Sequence, residues 1–167
     1  MSRGESPILR YTLRSVSLRH FEYSAETSVS PERVIAAVID FTDRRPDLWP
    51  GLTRSQYKVL EKGDTSALVQ EGTGILRVVE KYDWSQPNVV RWTVQASNFL
   101  RPGTVWELRV SPRDGGGARV DVTLERDYRG WRGMIPQVGL DVFGGPRMLS
   151  RLLQRTLRIL ENEAGAH

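Results

Sequence analysis

Apolar and polar positions alternate from His20 to Val29, with Phe21, Tyr23, Ala25 and Thr27 on one side and Glu22, Ser24, Glu26 and Ser28 on the other. A period of two marks a half-buried strand. Ser30, Pro31 and Glu32 then read as a helix start. The serine oxygen is set to cap free amides, proline suits the first helical position and the acid suits the helix dipole. The apolar run Val34 to Ile39 buries this helix. A second, short helical turn is expected over Asp43 to Leu48, ended by Trp49-Pro50-Gly51.

Six more strand-like segments follow: Gln56 to Glu61, Ser66 to Thr73, Ile75 to Asp83, Val89 to Asn98, Thr104 to Ser111 and Ala118 to Tyr128. Gly, Pro, Asn or Asp bound them. Links this short favour an antiparallel meander, because parallel pairs need long crossovers. One strand face carries Val90, Trp92, Val94 and Ala96, another Trp106, Leu108 and Val110, and a third Val120, Val122 and Leu124. After Tyr128 the period changes to 3.6. Met148 or Leu149, Leu152, Leu153, Thr156, Leu157 and Leu160 form an apolar stripe opposite Arg147, Arg151, Arg155 and Arg158. The spacing predicts an amphipathic helix over 147–163. Upstream, Trp131, Met134, Ile135, Val138 and Val142 suggest another helical piece, separated from the last by Gly144-Gly145-Pro146.

A length of 167 residues suits one domain. The expected boundaries are a flexible basic leader over 1–19, the folded domain over 20–163 and a tail over 164–167. The leader lacks the continuous apolar core of a secretory signal. The longest uncharged stretch runs only from Trp92 to Leu100, whereas a membrane-spanning helix needs about 20 residues. Cysteine is absent and histidine occurs only at positions 20 and 167. That excludes disulfides, thiol nucleophiles and Cys- or His-rich metal sites, and makes any Ser-His-Asp triad depend on His20. The net charge of +4 is concentrated at the two ends. Residues 20–127 hold fourteen Lys or Arg against sixteen Asp or Glu, so the body is not basic and no nucleic-acid partner is expected.

The order of elements resembles the START-like helix-grip superfamily of polyketide cyclases and dehydrases and lipid-transport domains (SRPBCC). The local matches are Ser30-Pro31-Glu32-Arg33-Val34 after the first strand, Leu48-Trp49-Pro50-Gly51-Leu52, and Lys81-Tyr82-Asp83 before a Pro-containing turn. Thr104-Val105-Trp106-Glu107-Leu108 and Gly117-Ala118-Arg119-Val120-Asp121-Val122-Thr123 complete them. The resemblance covers 20–163. It implies an α+β fold in which a seven-stranded antiparallel sheet wraps around a long C-terminal helix, with two short helices after the first strand. It also implies an elongated apolar cavity between sheet and helix.

Glu80 shares its strand face with Leu76, Val78 and Tyr82, and Arg126 shares its face with Val120, Val122, Leu124 and Tyr128. A charge on an apolar face is costly unless paired or wet. Each therefore either lines the polar end of a cavity or is turned outward by a bulge or strand end. The first reading is preferred for Glu80; the second weighs at least as much for Arg126. Trp49, Tyr57, Tyr82, Trp92 and Trp106 are candidates to stack on a flat ligand and donate to it, although each singly also suits a core. The candidate ligand-binding set is thus Trp49, Tyr57, Glu80, Tyr82, Trp92, Trp106 and Arg126. His20 reads as a solvated strand-end residue, and the arginine stripe of the last helix as a solvated face. Gly72-Thr73-Gly74 lacks the spacing of a dinucleotide loop and reads as a strand turn.

The leading functional expectation is a cytoplasmic domain that binds a lipid-like or polyketide-like small molecule, with no metal and no cofactor. The alternative is an enzyme of the cyclase, aromatase or dehydratase kind. It would use Glu80, its pKa raised by burial, as acid or base and Tyr82 or Arg126 as a donor to an enolate. A third reading is a protein-interaction module docking through Trp131 to Pro146.

Overall fold

The alternating positions along the chain become the two faces of one seven-stranded antiparallel sheet. The computed structural model describes residues 19–126 and 145–165. The strands are β1 (Arg19–Thr27), β2 (Lys58–Lys62), β3 (Ser66–Thr73), β4 (Leu76–Asp83), β5 (Val89–Ser97), β6 (Val105–Pro112) and β7 (Ala118–Arg126). Helices α1 (Pro31–Val38) and α2 (Arg45–Leu48) lie between β1 and β2, and α3 (Gly145–Gly165) ends the described chain. The sheet order is β1-β7-β6-β5-β4-β3-β2. Six strands form the expected meander, while β1 pairs with β7, from Arg19 opposite Arg126 to Thr27 opposite Ala118. At the β6–β7 hairpin Gly117 has a φ of +81°, and a Cβ there would stand 2.1 Å from the Thr27 carbonyl oxygen. Only glycine lets the hairpin approach the end of β1 so closely.

Helix α1 starts where expected, with Ser30 extended and Pro31 in the first turn, but the Ser30 side chain makes no capping bond. The Glu32 carboxylate instead accepts from its own backbone amide and from the Ser30 hydroxyl, which lowers its pKa. Val34, Ala37 and Val38 form the buried face. The Asp40 carboxylate then accepts from the Thr42 amide at 3.1 Å and the Thr42 hydroxyl at 2.6 Å, a turn that leads the chain out of the helix. After α2, the Leu52 amide donates to the Trp49 carbonyl at 3.2 Å across Pro50 and Gly51, the latter at a φ of +110°. Proline and glycine hold the two central positions that such a turn asks of them.

Gln56 belongs to a short 3-10 turn, Arg54–Gln56, so β2 begins at Lys58 and not at Gln56. In the β4–β5 ladder Val79 opposes Ala96 but Glu80 opposes Val94, which makes Gln95 an extra residue. This bulge breaks the alternation of β5: Val90, Trp92 and Val94 keep the inner face, whereas Ala96, expected with them, is exposed. Helix α3 begins at Gly145, so Gly145 and Pro146 open the helix where a break was expected. In the first turn proline's missing amide costs no hydrogen bond. The helical piece expected around Trp131 to Val142 lies outside the described residues.

Leu153, Thr156, Leu157 and Leu160 of α3 are buried, and Arg151, Arg155 and Arg158 are exposed. The Arg147 side chain lies outside the described residues. Glu161 ties the end of this helix to the sheet, accepting from the Thr27 hydroxyl at 2.7 Å and the Ser28 amide at 3.1 Å. Glu163 pairs with Arg44. No helix among the described residues is long and apolar enough to cross a membrane.

Candidate functional site

A cavity of about 600 Å³ lies between the inner face of the sheet and α3. Its apolar walls come from strand residues such as Val78, Leu108 and Val122 and, on the helix side, from Leu149, Leu152 and Leu153. Near the Trp49–Leu52 turn and the β3–β4 turn, Ile75 lines the cavity while remaining largely exposed, which puts it at the rim. The volume and lining fit a small-molecule pocket, which is typically a few hundred cubic ångströms and mostly apolar with a few placed polar groups.

Apart from Thr156 on α3, the buried polar groups lining the cavity are Arg45, Glu71, Glu80 and Tyr82. Glu71 opposes Val78 and Glu80 opposes Val69, so the carboxylates stand diagonally across the β3–β4 ladder on one face. Helix α2 delivers Arg45 to them. Its Nε donates to Glu71 Oε1, its Nη1 to the Val38 carbonyl at 2.8 Å and its Nη2 to the Tyr82 hydroxyl at 3.0 Å. Its Cζ lies 4.7 Å from the Phe41 ring centroid and 5.0 Å from that of Tyr82. The Tyr82 hydroxyl faces Glu71 Oε2 at 3.2 Å and Glu80 Oε2 at 3.3 Å. A phenol has one proton, so it serves one of these carboxylates at a time.

Burial by itself disfavours the Arg45 cation. The attraction of the Tyr82 oxygen and of Glu71, with their hydrogen bonds, outweighs it and holds the guanidinium pKa above its ordinary value. Burial, reinforced by Glu71, pushes the Tyr82 phenol well above its ordinary value against the opposing pull of Arg45. Tyr57 is pushed up to about 12, again chiefly by burial. Both phenols hold their protons more tightly in the folded chain than in the unfolded one. Stability contributed by these groups is therefore present below the unfolded tyrosine value of about 10 and is lost as pH rises past it. In an alkaline absorbance titration, phenolate from Tyr57 is expected only near pH 12, and phenolate from Tyr82 only well above the ordinary tyrosine range or together with unfolding. Complete tyrosine ionisation by about pH 11 with the fold intact would contradict this placement.

Tyr82, Trp92 and Trp106 stand directly opposite one another on β4, β5 and β6. Their rings stack as a ladder, with centroids 5.4 Å apart for Tyr82 and Trp92 and 5.6 Å apart for Trp92 and Trp106, the planes inclined by 18° and 11°. Trp92 thus has a ring against each face and presents its edge to the cavity. The stacking of a flat ligand on Trp92, expected from sequence, is pre-empted by its neighbours.

Of the candidate residues, Trp49, Glu80, Tyr82, Trp92 and Trp106 line the cavity. The bulge beside Glu80 lies on the partner strand, and Glu80 itself stays inward at 5% exposure. Tyr57 is not among the lining residues; its ring packs against the main core and its hydroxyl is buried. Arg126 ends β7 opposite Arg19, and its side chain lies outside the described residues. His20 is exposed at the strand end, 3.0 Å from Glu22. Sequence reasoning missed Arg45 and Glu71. The signal for Glu71 was the one used for Glu80, since period two puts it with Ala67 and Val69 on the buried face of β3. Arg45 shares helical spacing with the buried Phe41 and Leu48, whereas Asp43, Arg44 and Asp47 around it are exposed.

Residues 19–165 match the family model described as polyketide cyclase / dehydrase and lipid transport. Among solved structures, the Zhui aromatase/cyclase from Streptomyces sp. R1128 is similar with a TM-score of 0.73 and 14% identity, over 89% of this chain and 96% of that one. A START superfamily protein from Mycobacterium smegmatis gives 0.63 and 14%, over 86% and 95%. Norcoclaurine synthase from Thalictrum flavum, in truncated form, gives 0.64 and 11%, over 86% and 94%. At these identities the likeness is one of fold. No curated protein matches the sequence.

Proposed function

We propose, since this chain belongs to the polyketide cyclase/dehydrase and lipid transport family, that it binds a hydrophobic small molecule in the cavity between its sheet and α3. The observation that carries the reading is that cavity: about 600 Å³, apolar on both walls, with one cluster of buried polar side chains. Apolar surface left facing a space of this size gains free energy when an apolar ligand replaces water, at roughly 25 cal/mol per Å² removed. The ligand is lipid-like or polyketide-like in this proposal, and the protein is cytoplasmic with no nucleic-acid partner. Titration with the neutral dye phenylnaphthylamine should enhance dye emission and quench tryptophan, since Trp49, Trp92 and Trp106 line the space. Native mass spectrometry of protein from its own host should reveal a retained apolar mass. Unchanged emission up to the solubility limit of the dye, with no added mass, would overturn the reading.

The meeting of Arg45, Glu71, Glu80 and Tyr82 at the cavity favours a second reading, acid–base chemistry of the cyclase, aromatase or dehydratase kind. Glu80 would move the proton, and neutral Tyr82 would donate to the developing enolate oxygen. In that case Glu80→Gln spares apolar binding while the rate falls by about 10²–10⁴-fold. The interaction reading rests on Trp131 to Pro146, which up to Gly144 lies outside the described residues.

A further inference from the structure

We infer that the buried polar end of the ligand is a hydrogen-bond donor, a hydroxyl or a protonated amine, accepted by Glu80, and that the site rejects a ligand ending in a carboxylate. This inference rests on the ligand-binding reading above and specifies what that cavity selects.

Arg45 is the one cationic side chain among the described residues that line the cavity, and it is already committed. Three of its N–H groups are spent on Glu71, the Val38 carbonyl and Tyr82. The rings of Phe41, Tyr82 and Trp49 surround the guanidinium, with Trp49 at 5.8 Å. A ligand anion has to share Arg45 with Glu71, and taking the Nε position displaces that carboxylate and leaves it buried without its partner. Such an exchange gains one ion pair and loses another. The anion would also meet two carboxylates in a site screened from water, where like charges repel strongly.

A donor faces the opposite situation. The Tyr82 proton is shared between Glu71 Oε2 and Glu80 Oε2 at nearly equal distances. When a ligand donates to Glu80, the phenol turns its proton to Glu71, so the ligand's bond replaces the one from Tyr82 and the phenol keeps an acceptor. A carboxylate has about four lone-pair directions, so Glu80 accommodates a ligand donor beside its existing contacts. Arg45, Glu71 and Tyr82 are then the mount, and Glu80 is the group that reads the ligand.

Four ligands sharing one apolar body test this: pyrene, pyrenylmethanol, pyrenylmethylamine and pyrenecarboxylate, each titrated by tryptophan quenching against the full chain and against Glu80→Gln. The alcohol and the amine should bind about tenfold or more tighter than the carboxylate, the difference a hydrogen bond to a charged acceptor makes. Glu80→Gln should shrink that preference several-fold, each affinity being read relative to that of pyrene for the same variant. A carboxylate that binds as tightly as the alcohol, or a preference that survives Glu80→Gln intact, overturns the inference. Pyrene binding alongside either result leaves the ligand-binding reading standing, whereas no binding by any of the four removes both. The ranking in the unaltered chain is decisive even where the variant does not fold.

Discussion

Arg45→Met should destabilise the fold by about 3–5 kcal/mol, the cost of stranding a buried carboxylate by removing its partner. Arg45 is 3% exposed and Glu71 6%, so little water reaches them to take over the lost bonds. The same change removes the donors to the Val38 carbonyl and to Tyr82, each a further unsatisfied group. The double variant Arg45→Met/Glu71→Leu should recover most of the loss, because replacing both members of a buried pair by apolar side chains is often neutral. Urea denaturation of the two variants beside the parent reads this directly. A loss of under about 1 kcal/mol for Arg45→Met would mean that the pair behaves as a surface ion pair.

Leu153→Asp and Leu157→Asp should each cost about 4 kcal/mol or more, since each places a carboxylate on the buried apolar face of α3. Leu153 is 4% exposed and Leu157 3%, both within the main core. Arg151→Ala, on the solvated side of the same helix, should stay within about 0.5 kcal/mol of the parent. Thermal melts of the three variants separate the faces. If Arg151→Ala melted with the two aspartate variants, α3 would have to be rotated on the sheet.

The readable parts of this chain share one property: each depends on residues within a few positions of one another. Period two gave the strands because successive side chains must take opposite sides of a pleated backbone, and the change to 3.6 after Tyr128 set off the last helix. Pro50-Gly51 and the glycines before Ala118 punctuated the elements because few other residues adopt those turns. Where such local rules met a neighbouring strand, they failed. Ala96 left its expected face because Gln95 is inserted against β4, an irregularity with no mark in β5 itself. Ser30 stands at the right place to cap α1, yet its hydroxyl turns to Glu32.

Glu80 and Tyr82 were legible as inward-facing, because a strand face is a local property; their partners were not. Which residue stands across from Tyr82 depends on register, and it is register that stacks Tyr82, Trp92 and Trp106 and covers both faces of Trp92. The pairing of β1 with β7 joins the two ends of the sheet-forming chain, which no neighbouring residue encodes. Arg45 reaches Glu71, 26 positions away, only because the fold brings α2 to the buried face of β3. Ala96 apart, local alternation thus settled which strand side chains point inward. The meeting of distant strands settled which of them touch, because a charge on a buried face is satisfied by whatever the rest of the chain brings there.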